Sequence, residues 1–231
     1  MNGKASSKHQ AQLERSQRKW DFWSARESFW SFYENDTWEI RRRAVSQLRL
    51  EPGDTVLDVG CGPGTNFELL RGAVGADGRV IGVDLSPGMV ERARERIETH
   101  GWENIDIVRA DATTLSLGDD RFDGALATTA VSSTPDVRAT VEHVRDALKP
   151  GARFAVYDIR LVPSGPGRIL NPLIKRFYRA FGNWNDEEDV LTALERSFDD
   201  TRVVERFALG TNYVAIARTA DERSTTECDT T

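Results

Sequence analysis

Three carboxylates and one run of glycines are the groups in this sequence with the types and spacing for ligand chemistry. Asp58 and Val59 lead into Gly60, Cys61, Gly62, Pro63 and Gly64. Glycines there let backbone lie close to a ligand, since no Cβ stands in the way. Asp84 ends the next apolar run, where an acidic side chain can accept hydrogen bonds from two ribose hydroxyls. Asp111 follows a third run and is placed to meet an adenine amino group. The plainer readings are an N-cap for Asp84 and a turn for Asp111, but three acidic strand ends in register favour a nucleoside ligand. The dinucleotide fingerprint G-x-G-x-x-G needs a last glycine, and Thr65 stands there instead. Asp58 would also sit badly beside phosphates and suits a ligand that carries an amino group.

The elements that must hold these groups follow from the pattern. Short apolar runs at 55–59, 79–84, 105–108, 122–127 and 152–158 alternate with helical stretches, the signature of a parallel sheet covered on both faces. One helix has Ser86 as N-cap, Pro87 at its first position and Gly101 as its stop. Another starts at Asp136 and ends at Lys149-Pro150-Gly151. Runs at 203–208 and 213–218 are separated by a link short enough to make them an antiparallel hairpin. The expected fold is α/β: a Rossmann-like, seven-stranded, mostly parallel sheet with helices on both faces, a C-terminal antiparallel hairpin and a helical lid. Residues 1–19 read as a polar disordered arm and 20–50 as an aromatic helical lid segment. The binding core spans 51–160, a helical insertion 161–198, the closing hairpin 199–218 and a disordered tail 219–231.

The stretches VLDVGCGPG, VIGVDLSPGMVERARERI, VRADATTLSLGDDRFDGALA and VRDALKPGARFAVYDIR resemble the successive motifs of class I S-adenosylmethionine-dependent methyltransferases. The resemblance covers about Gly53 to Asp158, with a looser fit to Arg218. It implies S-adenosylmethionine as cofactor and methyl transfer by in-line displacement. Asp58, Gly60, Gly62 and Gly64 would then hold the methionine part, Asp84 the ribose, Asp111 with Ala112 the adenine, and Thr128 would flank the methyl group. Cys61, Leu85 and Met89 would also bind the cofactor. Tyr33 resembles the tyrosine that closes over the cofactor in quinone and phospholipid methyltransferases. Two rivals stay open: a protein that binds S-adenosylmethionine without turnover, and an NAD-dependent oxidoreductase.

Methyl transfer from a sulfonium mainly needs aligned reactants, so a catalytic base is optional. His9, His100 and His143 read as solvated surface, and the segment after the fourth strand, ATTAVSSTPD, lacks both the Asn-Pro-Pro-aromatic signature and paired histidines. The candidates left for chemistry are Tyr157, Asp158 and Thr128, and for the acceptor Trp30, Ser132, Arg160, Phe177 and Tyr178. The helix over 172–181 is basic and amphipathic, so it suits a lid over an apolar chain or a peripheral membrane contact. In a chain of 231 residues with net charge -6, nucleic acid is a poor partner. No apolar run spans a bilayer, and the polar first residues are no secretory signal, so a cytoplasmic protein is expected. Cys61 and Cys228 offer no metal-ligand spacing. The expected partner is a small, partly apolar acceptor, a quinone, a phospholipid head group or another metabolite.

Overall fold

The computed structural model describes residues 2–114, 121–185 and 187–221, with side chains from residue 10 onward apart from those of 27–32. Seven strands form one sheet: β1 (Thr55–Val59), β2 (Arg79–Asp84), β3 (Ile105–Arg109), β4 (Phe122–Thr128), β5 (Leu148–Ile159), β6 (Asp200–Phe207) and β7 (Asn212–Arg218). Their order is β3-β2-β1-β4-β5-β7-β6. All neighbours run parallel except β7, which lies antiparallel between β5 and β6. The seven-stranded sheet and its closing hairpin are the architecture expected from the sequence.

The central strands are largely apolar because they are buried on both faces, with Asp58 and Asp158 as buried exceptions near their C-terminal ends. Val56 packs with Phe67, Leu70 and Val80 under α2 (Glu27–Leu48), α3 (Phe67–Val74) and α4 (Pro87–His100). Its neighbour Leu57 faces the other way, with Phe154, Val141 and Leu194, against α5 (Val137–Ala147) and α7 (Val190–Ser197). The α4 start is as expected: Ser86 Oγ accepts from Met89 N at 3.2 Å, and Gly101 closes the helix in the left-handed region.

Several elements depart from the sequence reading. Residues 2–24 form helix α1 (Asn2–Ser24) where a polar arm is expected. Its charged surface conceals anchors: Ser16 and Ser24 are buried, and Asp21 Oδ1 accepts from Ser86 Oγ at 2.5 Å and Gly88 N at 3.2 Å. Helix α5 stops at Ala147, and Leu148 already pairs with Phe122, so Lys149-Pro150-Gly151 belongs to the strand rather than the helix. His143 is half-buried with Nδ1 unpartnered, not solvated. Of the tail, Thr219 Oγ1 donates to Lys149 O at 2.8 Å and Ala220 O accepts from Gly151 N, so 219–221 are tied to the start of β5. Residues 222–231, and Asp186, lie outside the described residues. Between β5 and α7 stands α6 (Asn171–Gly182), preceded by a 3-10 turn at Pro166–Leu170. No helix among the described residues is long and apolar enough to cross a membrane.

Candidate active site

A cavity opens at the C-terminal ends of β1, β2 and β4, where the strand order reverses and ligands of open α/β sheets bind. Its walls include ten of the predicted cofactor residues: Tyr33, Gly60, Cys61, Gly62, Asp84, Leu85, Met89, Asp111, Ala112 and Thr128.

The glycines do different work. A Cβ on Gly60, at φ +63°, would lie 2.4 Å from Ala130 Cβ, so glycine is what lets the β1 and β4 loops touch. Gly62, at φ +56°, faces open space, which leaves its backbone bare to whatever fills the cavity. Gly64 is outside the lining. A Cβ there would strike the Phe67 ring at 2.5 Å, so this glycine serves helix packing, the role of the missing third glycine in the dinucleotide pattern.

Asp84 is held by backbone: Gly62 N donates to Oδ2 and Ser86 N to Oδ1, each at 2.9 Å. Burial lifts its carboxyl to about 6, against the pull of those amides. Asp111 Oδ1 accepts from Thr113 N and Oγ1 at 2.9 and 2.8 Å, so it builds its own turn while lining the cavity. Cys61 is buried, and desolvation pushes its thiol well above the ordinary range.

Beneath the cavity floor lies a buried polar network. Asp58 is fully buried and accepts from Asn66 Nδ2 at 2.9 and 3.1 Å. Burial raises its carboxyl to about 7, although Asn66 and the positive Arg41 pull it down. Arg41 comes from α2 and is also buried. Its Nη1 donates to Thr65 Oγ1, Asn66 Oδ1 and Thr128 Oγ1 at 2.9, 2.7 and 2.7 Å, and its Nε to Thr37 Oγ1 at 2.8 Å. All these acceptors are neutral, although a buried guanidinium ordinarily finds a carboxylate. Above it, Tyr33 OH and Thr129 Oγ1 are 2.6 Å apart. Thr129 has φ +53°, a left-handed conformation costly for a β-branched residue, and is pinned by Thr129 N donating to Tyr157 O at 2.6 Å.

The structure does not bring the other candidates into this cavity. Asp158 is fully buried and saturated: Ser132 Oγ and Ser132 N donate to it at 2.5 and 3.0 Å, and Ile159 N at 2.8 Å. It staples the loop after β4 to β5, which accounts for Ser132 as well. Tyr157 packs on Phe207 and donates to Asn212 Oδ1 at 3.3 Å, with its hydroxyl pushed up by burial. Arg160 pairs with Asp189 at 3.3 Å. Tyr178 bonds to the side chains of Thr211 and Asn212, and Phe177 stands exposed on α6. The Trp30 side chain lies outside the described residues. Conversely, Arg41, Ser16, Trp20 and Thr65 line the cavity without having been candidates for it. Only burial distinguishes Arg41 from Arg42 and Arg43 beside it.

Residues 56–151 match the family described as "Methyltransferase domain". Over these residues the chain is similar to methyltransferases. It is 34% identical over 61% of its length to the 2-phytyl-1,4-naphtoquinone methyltransferase of Synechococcus elongatus, covering 58% of that protein. To the demethylmenaquinone methyltransferase of Symbiobacterium thermophilum it is 37% identical over 51% of its length and 47% of that protein's. It therefore spans less than two thirds of the curated relatives it matches. The crystal structure of a SAM-dependent methyltransferase from Aquifex aeolicus shares the fold, with TM-score 0.58 at 22% identity over 77% of this chain and 88% of that one. Helices from outside the core lie over the strand ends, with Ser16 and Trp20 of α1 and Tyr33 and Arg41 of α2 in the cavity wall. Lys19 Nζ of α1 donates to Arg179 O of α6 at 2.7 Å, and Ser133 Oγ to Gly182 O at 2.7 Å, joining both helices to the site.

Proposed function

We propose that this protein moves a methyl group from S-adenosylmethionine to a small, partly apolar acceptor of the quinone type. The observation that carries the reading is the buried pair of Arg41 and Asp58. The amino-acid end of the cofactor is a zwitterion. Arg41, bonded only to neutral oxygens among the described residues, suits its carboxylate, and Asp58, a buried carboxyl without a bonded cation, suits its ammonium. Asp84 would take the ribose hydroxyls, and Asp111 with Ala112 the adenine. The names of the quinone methyltransferases similar to this chain support the acceptor class.

When bound, the cofactor supplies an electrophilic methyl group on a sulfonium. The chain's own residues then act by positioning, a contribution of up to ~7–11 kcal/mol. The cavity lining among the described residues holds no His, Glu or Lys, and its two carboxylates, Asp84 and Asp111, are taken up by the cofactor in this reading. Tyr33 and Thr129 present the hydroxyls that can steer an acceptor oxygen, and α1, through Ser16 and Trp20, closes one wall of the cavity. Peripheral membrane contact through 172–181 would bring an apolar acceptor within reach.

The test is titration calorimetry with S-adenosylhomocysteine and, separately, NAD on the wild type, Asp84→Ala and Arg41→Met, followed by labelled methyl transfer to a reduced demethylated naphthoquinone. Selective S-adenosylhomocysteine binding, weakened about 10–150-fold when the charged hydrogen bonds of Asp84 are lost, is expected. Preferential NAD binding overturns the cofactor assignment. Tight cofactor binding with no transfer to quinones, phenols or phospholipids would leave a binding protein without turnover.

A further inference from the structure

Helix α6 and the 3-10 turn before it contain no buried residue, although they carry Ile169, Leu170, Leu173, Phe177 and Phe181. Ile169 is 84% exposed, Leu173 68% and Phe177 54%. Leu173, Phe177 and Phe181 follow at intervals of four and so share one side of the helix. The apolar surface does not stop there. A Cβ on Gly167 would be 3.7 Å from the exposed Leu209, which extends the patch at one end. At the other, the Phe177 and Phe181 rings lie tilted with centroids 4.6 Å apart, Phe181 meets Trp23 at 6.0 Å, and Trp23 meets the exposed Phe22 at 5.6 Å. An isolated helix of about 12 residues is marginal in water, so such a face gains from cover.

Charge says what kind of cover. Between Arg160 and Asn185 the chain has Arg160, Arg168, Lys175, Arg176 and Arg179 and no acidic residue, in a protein of net charge -6. Arg168 and Arg176 are exposed beside the apolar stripe. An apolar stripe bordered by cations alone complements a surface that is apolar below and anionic above. Such a surface is the head-group boundary of an anionic bilayer.

We propose that the face formed by Ile169, Leu170, Leu173, Phe177, Phe181 and Leu209 docks this protein on an anionic lipid bilayer, with Arg168 and Arg176 against the head groups. It rests on the reading of a partly apolar acceptor, which a membrane would deliver to the lid. The assay requires no turnover, so either can fail alone.

Flotation with vesicles of phosphatidylcholine, and of phosphatidylcholine with about a quarter phosphatidylglycerol, tests it. The wild type is expected to float with the anionic vesicles, far less with the neutral ones, and less as salt rises. Leu173→Glu should lower partitioning about ten-fold or more, while S-adenosylhomocysteine binding reports that the variant is folded. If Leu173→Glu does not fold, Arg168→Gln with Arg176→Gln decides: weaker, less salt-sensitive flotation supports the proposal, and unchanged flotation overturns it. A wild type that stays in the dense fraction overturns it too. If that protein is a dimer that Leu173→Glu dissociates, the face belongs to a second copy of the chain. If it is a monomer and Leu173→Glu impairs methyl transfer alone, the face is an acceptor lid.

Discussion

Cofactor affinity should titrate with Asp58. The perturbation is pH, and the magnitude follows from a carboxyl that burial lifts to about 7 beside a ligand ammonium that needs it ionised. If only the ionised form pairs with the ammonium, lowering pH from about 8 to about 6 protonates Asp58 roughly ten to one and weakens binding about ten-fold, or ~1.4 kcal/mol. Asp84, at about 6, removes about two-fold more at the same acid limit. Calorimetry with S-adenosylhomocysteine in two buffers of different ionisation enthalpy should show about one and a half protons released per binding event near pH 6, about 0.9 from Asp58 and about 0.5 from Asp84. Asp58→Asn should bind more weakly at high pH and lose most of the slope. The ligand-free protein should behave oppositely. Asp58, Asp84 and Asp158 all have folded values raised above the unfolded one, to about 7, 6 and 6. Their contribution is full below the unfolded value and is lost as pH climbs through 6 to 7, so its melting temperature should fall over that window. An affinity that is flat across it in the wild type would refute the pairing of Asp58 with the ammonium.

Two substitutions separate fold from site. Gly60→Ala sets a methyl 2.4 Å from Ala130 Cβ at positive φ and should cost ~1–3 kcal/mol in urea unfolding, whereas Gly62→Ala, which points into open space, should reduce S-adenosylhomocysteine affinity more than stability. Asp158→Ala strands the buried amides of Ser132 and Ile159 and should cost ~2–4 kcal/mol, with cofactor affinity of the folded protein within about two-fold of wild type. Lost methyl transfer at unchanged stability would instead give that carboxyl a part in the chemistry.

The strands were legible because two-sided burial forces unbroken apolar runs, and the α4 cap because Ser86-Pro87 and Gly101 act locally. The glycine loop was legible as a ligand cradle but not in its division of labour, which depends on Phe67 and Ala130 arriving from elsewhere. Helix α1 was hidden because its buried or anchoring residues, Ser16, Asp21 and Ser24, are small or polar and form no apolar stripe, and Asp21 finds its partners, Ser86 and Gly88, far along the chain. Arg41 was hidden for the complementary reason: three consecutive arginines are chemically identical until the helix turns one of them inward. Tyr157 and Asp158 sit at a strand end as ligand-binding residues do, yet their partners, Asn212 and Ser132, lie in other parts of the chain.

The pairing of β1 with β4 at the middle of the sheet also bears on how the chain is made. β1, β2 and β3 emerge first and can form a half-sheet, but β1's inner edge finds its partner only after Phe122 to Thr128 have been synthesised. Until then that edge is open to misdirected pairing. The seam that creates the ligand crevice is thus also where a nascent chain is most exposed to aggregation, and a ligand that bridges it can act only once both halves have met.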